Sequence, residues 1–198
     1  MKLLNKAQHN SVMKFIARNM VGAFQICFCR KSGFEKFSGS KKEFLWSFAI
    51  AVIYLILHFG LGALAAETIW PPENNILDEA EILVKYGVFL AVSYKLSEHS
   101  DCKEYYFKFI AISNWVYFII SSFVFALIIL AAWQGLDMKF AFAIVASIIL
   151  SVFLICYISV KVFGLSIKDG IGFGFGSLGI ANLAGSILFD LIENLLQT

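Results

Sequence analysis

Long runs without Asp, Glu, Lys or Arg dominate the chain. Four of them reach the length of a bilayer: Phe44 to Ala66, Phe109 to Trp133, Phe140 to Val160 and Gly170 to Phe189. At a rise of about 1.5 Å per residue, each covers the roughly 30 Å hydrocarbon core. Backbone groups in lipid have no water to bond, so each run is expected to be a helix. A fifth run, Ile82 to Tyr94, is shorter and is interrupted by Lys85. The pattern predicts an all-α, polytopic membrane bundle of five helices over about 44–66, 80–97, 109–133, 140–162 and 170–192. Residues 1–43 form a separate basic segment, and 44–198 form the transmembrane domain.

The fifth run earns its place through charge. With it counted as spanning, one side of the membrane receives the basic N-terminal segment, the connection around Lys95, Lys103 and Lys108, and the connection with Lys161 and Lys168. The other side receives Glu67 to Glu81, which holds five acids and no Lys or Arg, then the Gln134 to Lys139 turn and the end with Asp190 and Glu193. Positive-inside bias is then obeyed at every boundary, which predicts an inner N-terminus and an outer C-terminus. Lys85 follows Glu81 by four residues, a favourable ion-pair order. Its long stem can carry the ammonium to the outer interface as an anchor. Lys95 is the mirror case at the inner end. The alternative for Lys85 is a lysine in an ion pathway.

Residues 1–43 lack the continuous apolar core of a cleavable signal, because Lys14, Arg18, Asn19 and Gln25 break the run. Val12, Ile16, Met20, Phe24 and Cys27 instead recur at helical spacing, with Lys14 and Arg18 on another face. That pattern predicts an amphipathic helix lying on an anionic cytoplasmic surface. Gly33, Ser38, Gly39 and Ser40 read as a flexible link into the first span. A partly disordered tail is the alternative.

Composition agrees with the pattern. The 198 residues are 60% hydrophobic and 15% charged, with mean hydropathy +0.79, more apolar surface than a soluble domain of this length buries. Net charge is only +2, yet nine of the sixteen Lys and Arg lie in the first 43 residues.

Candidate chemistry is sparse. Cys27 and Cys29 form a C-x-C, Cys102 lies in an inner connection and Cys156 within the fourth span; no C-x-x-C occurs, and His9, His58 and His99 are scattered. Metal-ligand spacing is absent, so no metal or cofactor is expected, and His99, Asp101 and Cys102 read as an ordinary polar loop. Three of the cysteines fall on the predicted reducing side, where disulfides do not persist. Gly174, Gly176 and Gly179 match G-x-G-x-x-G, but no strand precedes them and no acidic ribose partner follows.

The glycines of the last span suggest packing instead. Gly170 with Gly174, Gly172 with Gly176, and Ser177, Ala181 and Gly185 set small residues at intervals of four, which lets helix backbones approach in lipid. This span is expected to be the packing centre of the bundle or of a dimer. Six glycines in sixteen residues also leave open a kink or a broken helix. Polar residues fall into stripes: Ser47, Tyr54 and His58 in the first span; Asn114, Tyr117 and Ser121 in the third; Ser147 and Ser151 in the fourth; Asn182 and Ser186 in the fifth. Interhelical hydrogen bonds, worth about 0.6–2 kcal/mol each, explain them; a narrow polar path is the alternative. No acid lies mid-span to carry a proton or cation relay.

Three short motifs carry a family resemblance: Phe44-Leu45-Trp46-Ser47-Phe48, Ile112-Ser113-Asn114-Trp115 and Val160-Lys161-Val162-Phe163-Gly164. With them, residues 34 to 195 resemble the Yip-type, Rab-interacting five-helix membrane family in its bacterial form. The resemblance implies a cytoplasmic N-terminal segment, five close-set spans and residence in a bacterial cytoplasmic (inner) membrane. The chain lacks the long acidic, proline-bearing domain that goes with GTPase partners in eukaryotic members.

The expected function is therefore a non-enzymatic scaffold or assembly factor, with membrane lipids and either a second copy or another membrane protein as partners, and no nucleic acid. A small-solute or ion permease built on Asn114, Tyr117 and Ser121 is one alternative. A lipid-acting enzyme using His99, Asp101 and Glu104 is another.

Overall fold

The computed structural model describes residues 2–50, 52–53, 75–133 and 137–196, which are helical, with turns and no strand. The helices are α1 (Lys2–Cys27), α2 (residues 41–50 and 52–53), α3 (Asn75–His99), α4 (Tyr106–Trp133), α5 (Asp137–Phe163) and α6 (Ile167–Leu196). Two 3₁₀ turns, η1 (Lys31–Lys36) and η2 (Lys103–Tyr105), precede α2 and α4. Among the described residues, three stretches are long and apolar enough to cross a membrane: Lys103–Leu127, Val145–Phe163 and Ile167–Leu195. They coincide with the expected third, fourth and fifth spans. Most of the expected first span, 54–66, lies outside the described residues, as does the start of the acidic connection. The weak second run does form a helix, α3, but Glu81, Lys85 and Lys95 keep it too charged to join the other three.

The chain divides into two compact units, Met1–Ala51 with Phe107–Ser147, and Val52–Tyr106 with Ile148–Thr198. In the first, α1 folds back on the segment that follows it. The helix stops where Cys29 adopts φ 55°, with Arg30 N–H bonded to Gln25 O at 2.9 Å and Cys29 N–H to Ile26 O at 2.8 Å. This is a Schellman stop built without the usual glycine. η1 then lies on α1 so closely that a Cβ on Gly33 would sit 2.6 Å from Gly22 O. Gly33 is therefore a packed position, not part of a flexible link.

Ser38, Gly39 and Ser40 are ordered as well. Ser40 Oγ accepts the Glu43 N–H at 3.3 Å, while Glu43 Oε2 accepts from Ser38 Oγ and Gly39 N at 3.0 and 2.9 Å. The Ser40-x-x-Glu43 spacing starts α2 as a variant of the capping box in which Glu43 reaches back to Gly39 N–H, one residue before the Ser40 cap. Gly39, at φ +72°, seats against the Lys108 side chain near the start of α4, and the Phe44 and Phe107 rings lie 4.7 Å apart. Thus α2 and α4 start side by side and run parallel within this unit.

The second unit is built on close antiparallel approaches to α6. A Cβ on Gly174 would lie 3.0 Å from Cys156 Cα, one on Gly170 3.2 Å from Val160 N, and one on Gly185 2.8 Å from Lys85 Cα. Gly164, at φ +67°, closes α5, and Ser166 with Asp169 caps α6 through Asp169 N–H to Ser166 Oγ at 3.2 Å. Despite its glycines, α6 is one continuous helix of 30 residues, so the broken-helix alternative does not hold. Within the chain, 17% of its apolar stretch is buried among the described residues. Small residues let α6 approach neighbours closely along one stripe, but most of its circumference still faces outward.

Candidate functional site

The polar groups inside the apolar helices gather at two places, one in each unit. In the first, the carboxylate of Glu43 is fully buried and receives Arg18 Nη2 at 2.8 Å in addition to its bonds from Ser38 and Gly39. One turn further along α2, Ser47 Oγ accepts Asn114 Nδ2 at 2.9 Å and donates to Phe44 O at 2.6 Å. Ser47 and Asn114 come from two of the three sequence motifs, and they meet directly. Buried Asn19 takes a 3.4 Å bond from Arg18 on Oδ1; Asn19 Nδ2 and Trp115 Nε1 have no hydrogen-bond partner among the described residues.

Asn114, Tyr117 and Ser121 do not form a continuous buried stripe. Asn114 is buried, Ser121 is half-buried and Tyr117 is exposed, because the three-residue step from Asn114 rotates Tyr117 off the packed face, whereas Ser121, two turns on from Asn114, returns towards it. His58 and Tyr54 lie outside the described residues.

The second gathering joins α3 and α6. Lys85 Nζ lies 2.8 Å from Glu81 Oε1, as the four-residue spacing predicts, and Ser186 Oγ donates to the same oxygen at 2.9 Å. Lys85 is half-buried, and its backbone is what Gly185 approaches. Asn182, by contrast, bonds back to Leu178 O in its own helix at 2.9 Å and is exposed.

The small-residue candidates separate in the same way. Gly170, Gly174, Ser177, Ala181 and Gly185 are buried along one stripe. A Cβ on Gly172 would meet nothing within 4 Å among the described residues, and one on Gly176 would meet Leu96 Cδ1 at 3.8 Å. Among the described residues, the expected Gly172–Gly176 pair makes no close backbone approach. Intervals of four fix a stripe but not which of two neighbouring stripes is packed.

Most hydroxyls in these helices satisfy themselves. Ser113 donates to Phe109 O, Ser159 to Ile155 O, Ser97 to Tyr94 O and Ser177 to Gly174 O, each three or four residues back. Of the stripes read as interhelical glue, Asn114 bonds Ser47 and Ser186 bonds Glu81 across two helices among the described residues.

The loop after α3 is held by Glu98, not by the residues suggested for acid–base work. Glu98 accepts from Lys103 and Lys95, each at 3.0 Å, and these bonds hold its carboxyl below the usual carboxylate range. Lys95 is thus an exposed partner of Glu98. Asp101 adopts φ 53° and repeats the Cys29 stop, with Cys102 N–H on Ser97 O at 2.9 Å. His99 is exposed at the helix end, and no three His, Cys, Asp or Glu side chains converge into a metal-holding group among the described residues. Burial raises the Cys102 thiol and pushes that of Cys27 up to about 11, so neither is a ready thiolate.

The contact of Arg18 with buried Glu43 is what sequence reasoning misses, since Arg18 and Asn19 read there as breaks in an apolar run. The Ser40-x-x-Glu43 spacing was the available signal for Glu43, as Ser166-x-x-Asp169 was for the start of α6. No protein-family model matches the chain, and neither curated proteins nor solved structures provide a match.

Proposed function

We propose that this chain is a non-enzymatic, multi-pass membrane protein of Yip type that acts as a scaffold or assembly factor. The observation that carries this reading is how its intramembrane polar groups are used. Asn114 is bonded to Ser47, Ser186 to Glu81, Glu81 to Lys85, and four serines to their own helices. Polar groups committed to bonds between helices or within their own helix favour an assembly role over a substrate path.

The finer topology belongs to the same reading: five spans, an inner N-terminus, an outer C-terminus and an interfacial α1 in a bacterial cytoplasmic membrane. Supporting it, α2 and α4 run parallel and both begin beside lysines, Lys41 and Lys42 for one, Lys103 and Lys108 for the other. Native mass spectrometry and crosslinking of the full chain in mild detergent test the function. A stable partner or a defined oligomer is expected. A strictly monomeric protein with nothing copurifying refutes the scaffold reading, and solute flux in reconstituted vesicles would replace it with a permease.

A further inference from the structure

Helix α1 has two apolar faces, and the first unit uses one of them. Asn19, Gly22, Ala23 and Ile26 form the buried face, each three or four residues from the next or beside it. Met13, Met20, Val21 and Phe24 form another, on the far side of the helix. Met13, Phe24 and the following Phe28 are 55%, 56% and 65% exposed. The stripe expected from sequence, Val12 to Cys27, runs between the two. Side chains this large and this exposed, next to one another on a charged segment, mark a surface that something apolar covers.

Position and charge identify the cover. Arg18 is bonded to Glu43 at 2.8 Å and the Phe15 ring lies 6.3 Å from Trp46, so α1 is held against the first two turns of α2. Those turns lie beside the start of α4, through Gly39 on Lys108 and Phe44 on Phe107. The apolar stretch Lys103–Leu127 begins there, so α1 sits at the polar end of a helix able to cross, the level where headgroups meet acyl chains. Residues 1–43 carry nine Lys and Arg against two acids, and one of those acids, Glu43, is buried and bonded to Arg18. Lys14, Arg30, Lys31 and Lys36 are exposed.

We propose that the outer face of α1, continued by Phe28, docks on an anionic lipid surface. Met13, Met20, Val21 and Phe24 enter the acyl boundary, while Lys14 and Lys31 meet anionic headgroups. This rests on the membrane reading of the chain. It adds which face enters the bilayer and which lipid class selects it. The Arg18–Glu43 pair acts as the positioning contact that turns this face outward.

The test uses full-length protein with its four cysteines replaced and a single nitroxide at position 20, 24 or 14, reconstituted in phosphatidylcholine vesicles with or without added phosphatidylglycerol. In anionic vesicles, labels at 20 and 24 should be reached by oxygen in preference to a water-soluble nickel chelate, and the label at 14 should show the reverse. Lys14→Gln and Lys31→Gln, with the label at 24, should each lower the ratio of docked to undocked spectral components about fivefold, and salt should do likewise. Nickel-accessible labels at 20 and 24 in anionic vesicles overturn the proposal. So does equal docking in neutral vesicles, or docking that rises with protein density and shows spin–spin broadening, which would assign the face to a second copy. Alkaline carbonate separates the two readings: a chain released by carbonate refutes the membrane reading itself, whereas a retained chain with an undocked α1 refutes this proposal alone.

Discussion

Alanine at two glycines of α6 should act in opposite directions. At Gly185, a new Cβ would lie 2.8 Å from Lys85 Cα and 2.7 Å from Lys85 Cγ. The side-chain carbon can swing away, but the backbone carbon cannot, so α3 and α6 must separate by several tenths of an ångström. Overpacking of this kind costs about 1–3 kcal/mol. The Ser186–Glu81 bond next door, at 2.9 Å, stretches with it and forfeits about another 0.6 kcal/mol. Better helix propensity returns about 0.8–1 kcal/mol.

The net expectation for Gly185→Ala is a loss of about 0.6–2.8 kcal/mol, an increase of roughly 3- to 100-fold in opening of the α3–α6 pair. Gly172→Ala meets nothing within 4 Å among the described residues, so only the propensity gain of about 0.8–1 kcal/mol remains. Steric trapping or reversible unfolding in mixed micelles reads both variants in one assay. Equal shifts, or stabilisation by Gly185→Ala, would show that close backbone approach at Gly185 does not hold this helix pair.

Three other outcomes follow from the first unit. Asn114→Leu should cost about 0.6–2 kcal/mol in detergent unfolding, because it removes the bond to Ser47; no change would mean that the bond contributes nothing net. Arg18→Ala should expose residues 1–43 to faster amide exchange by about 1–3 kcal/mol, since buried Glu43 loses its cationic partner; unchanged exchange refutes the tether. Cys29→Gly should stabilise by about 1 kcal/mol, because φ 55° suits glycine and strains a residue with a Cβ; destabilisation would show that the thiol itself is used.

A pH effect follows from Cys27. Its thiol is pushed up from 9.0 to about 11, chiefly by burial, so the folded state favours the protonated form. That contribution to stability is complete below pH 9 and is lost as pH rises through about 11. In a Cys29→Ser background, alkylation of Cys27 should therefore remain slow at pH 9 and accelerate towards pH 11. Ready alkylation at pH 8 would contradict its burial.

Much of the helical architecture is legible without coordinates, for a simple reason. A charge-free run longer than a bilayer has few other solutions, and the stretches in α4, α5 and α6 fall where such runs fall. The Glu81–Lys85 pair is equally legible, since four residues place both on one face. Rotation about a helix axis is not. Gly172 and Gly174 differ by two residues, yet one is open and the other lies against Cys156, and nothing in the spacing distinguishes them. The same ambiguity hid the second face of α1, where Ile26 is buried and Phe24 is not. Serine stripes mislead for another reason: a hydroxyl that can bond its own helix gives no sign of whether it also reaches a neighbour. Glycine in the Gly33–Ser40 link suggests looseness, but Gly33 instead lets the backbone after α1 touch it at Gly22.

The turn between α5 and α6 has a consequence for biogenesis. Three residues, Gly164 to Ser166, join two antiparallel helices whose contacts pair Val160 with Gly170 and Cys156 with Gly174. Under the proposed topology, a link this short leaves no room for an extramembrane excursion, which favours entry of the two helices together as a hairpin. Entry as a hairpin ties the fate of one terminus to a distant loop: the end of α6 returns to the side from which α5 started. A reporter placed there reads the sidedness of the α4–α5 connection directly, whatever α2 and α3 do.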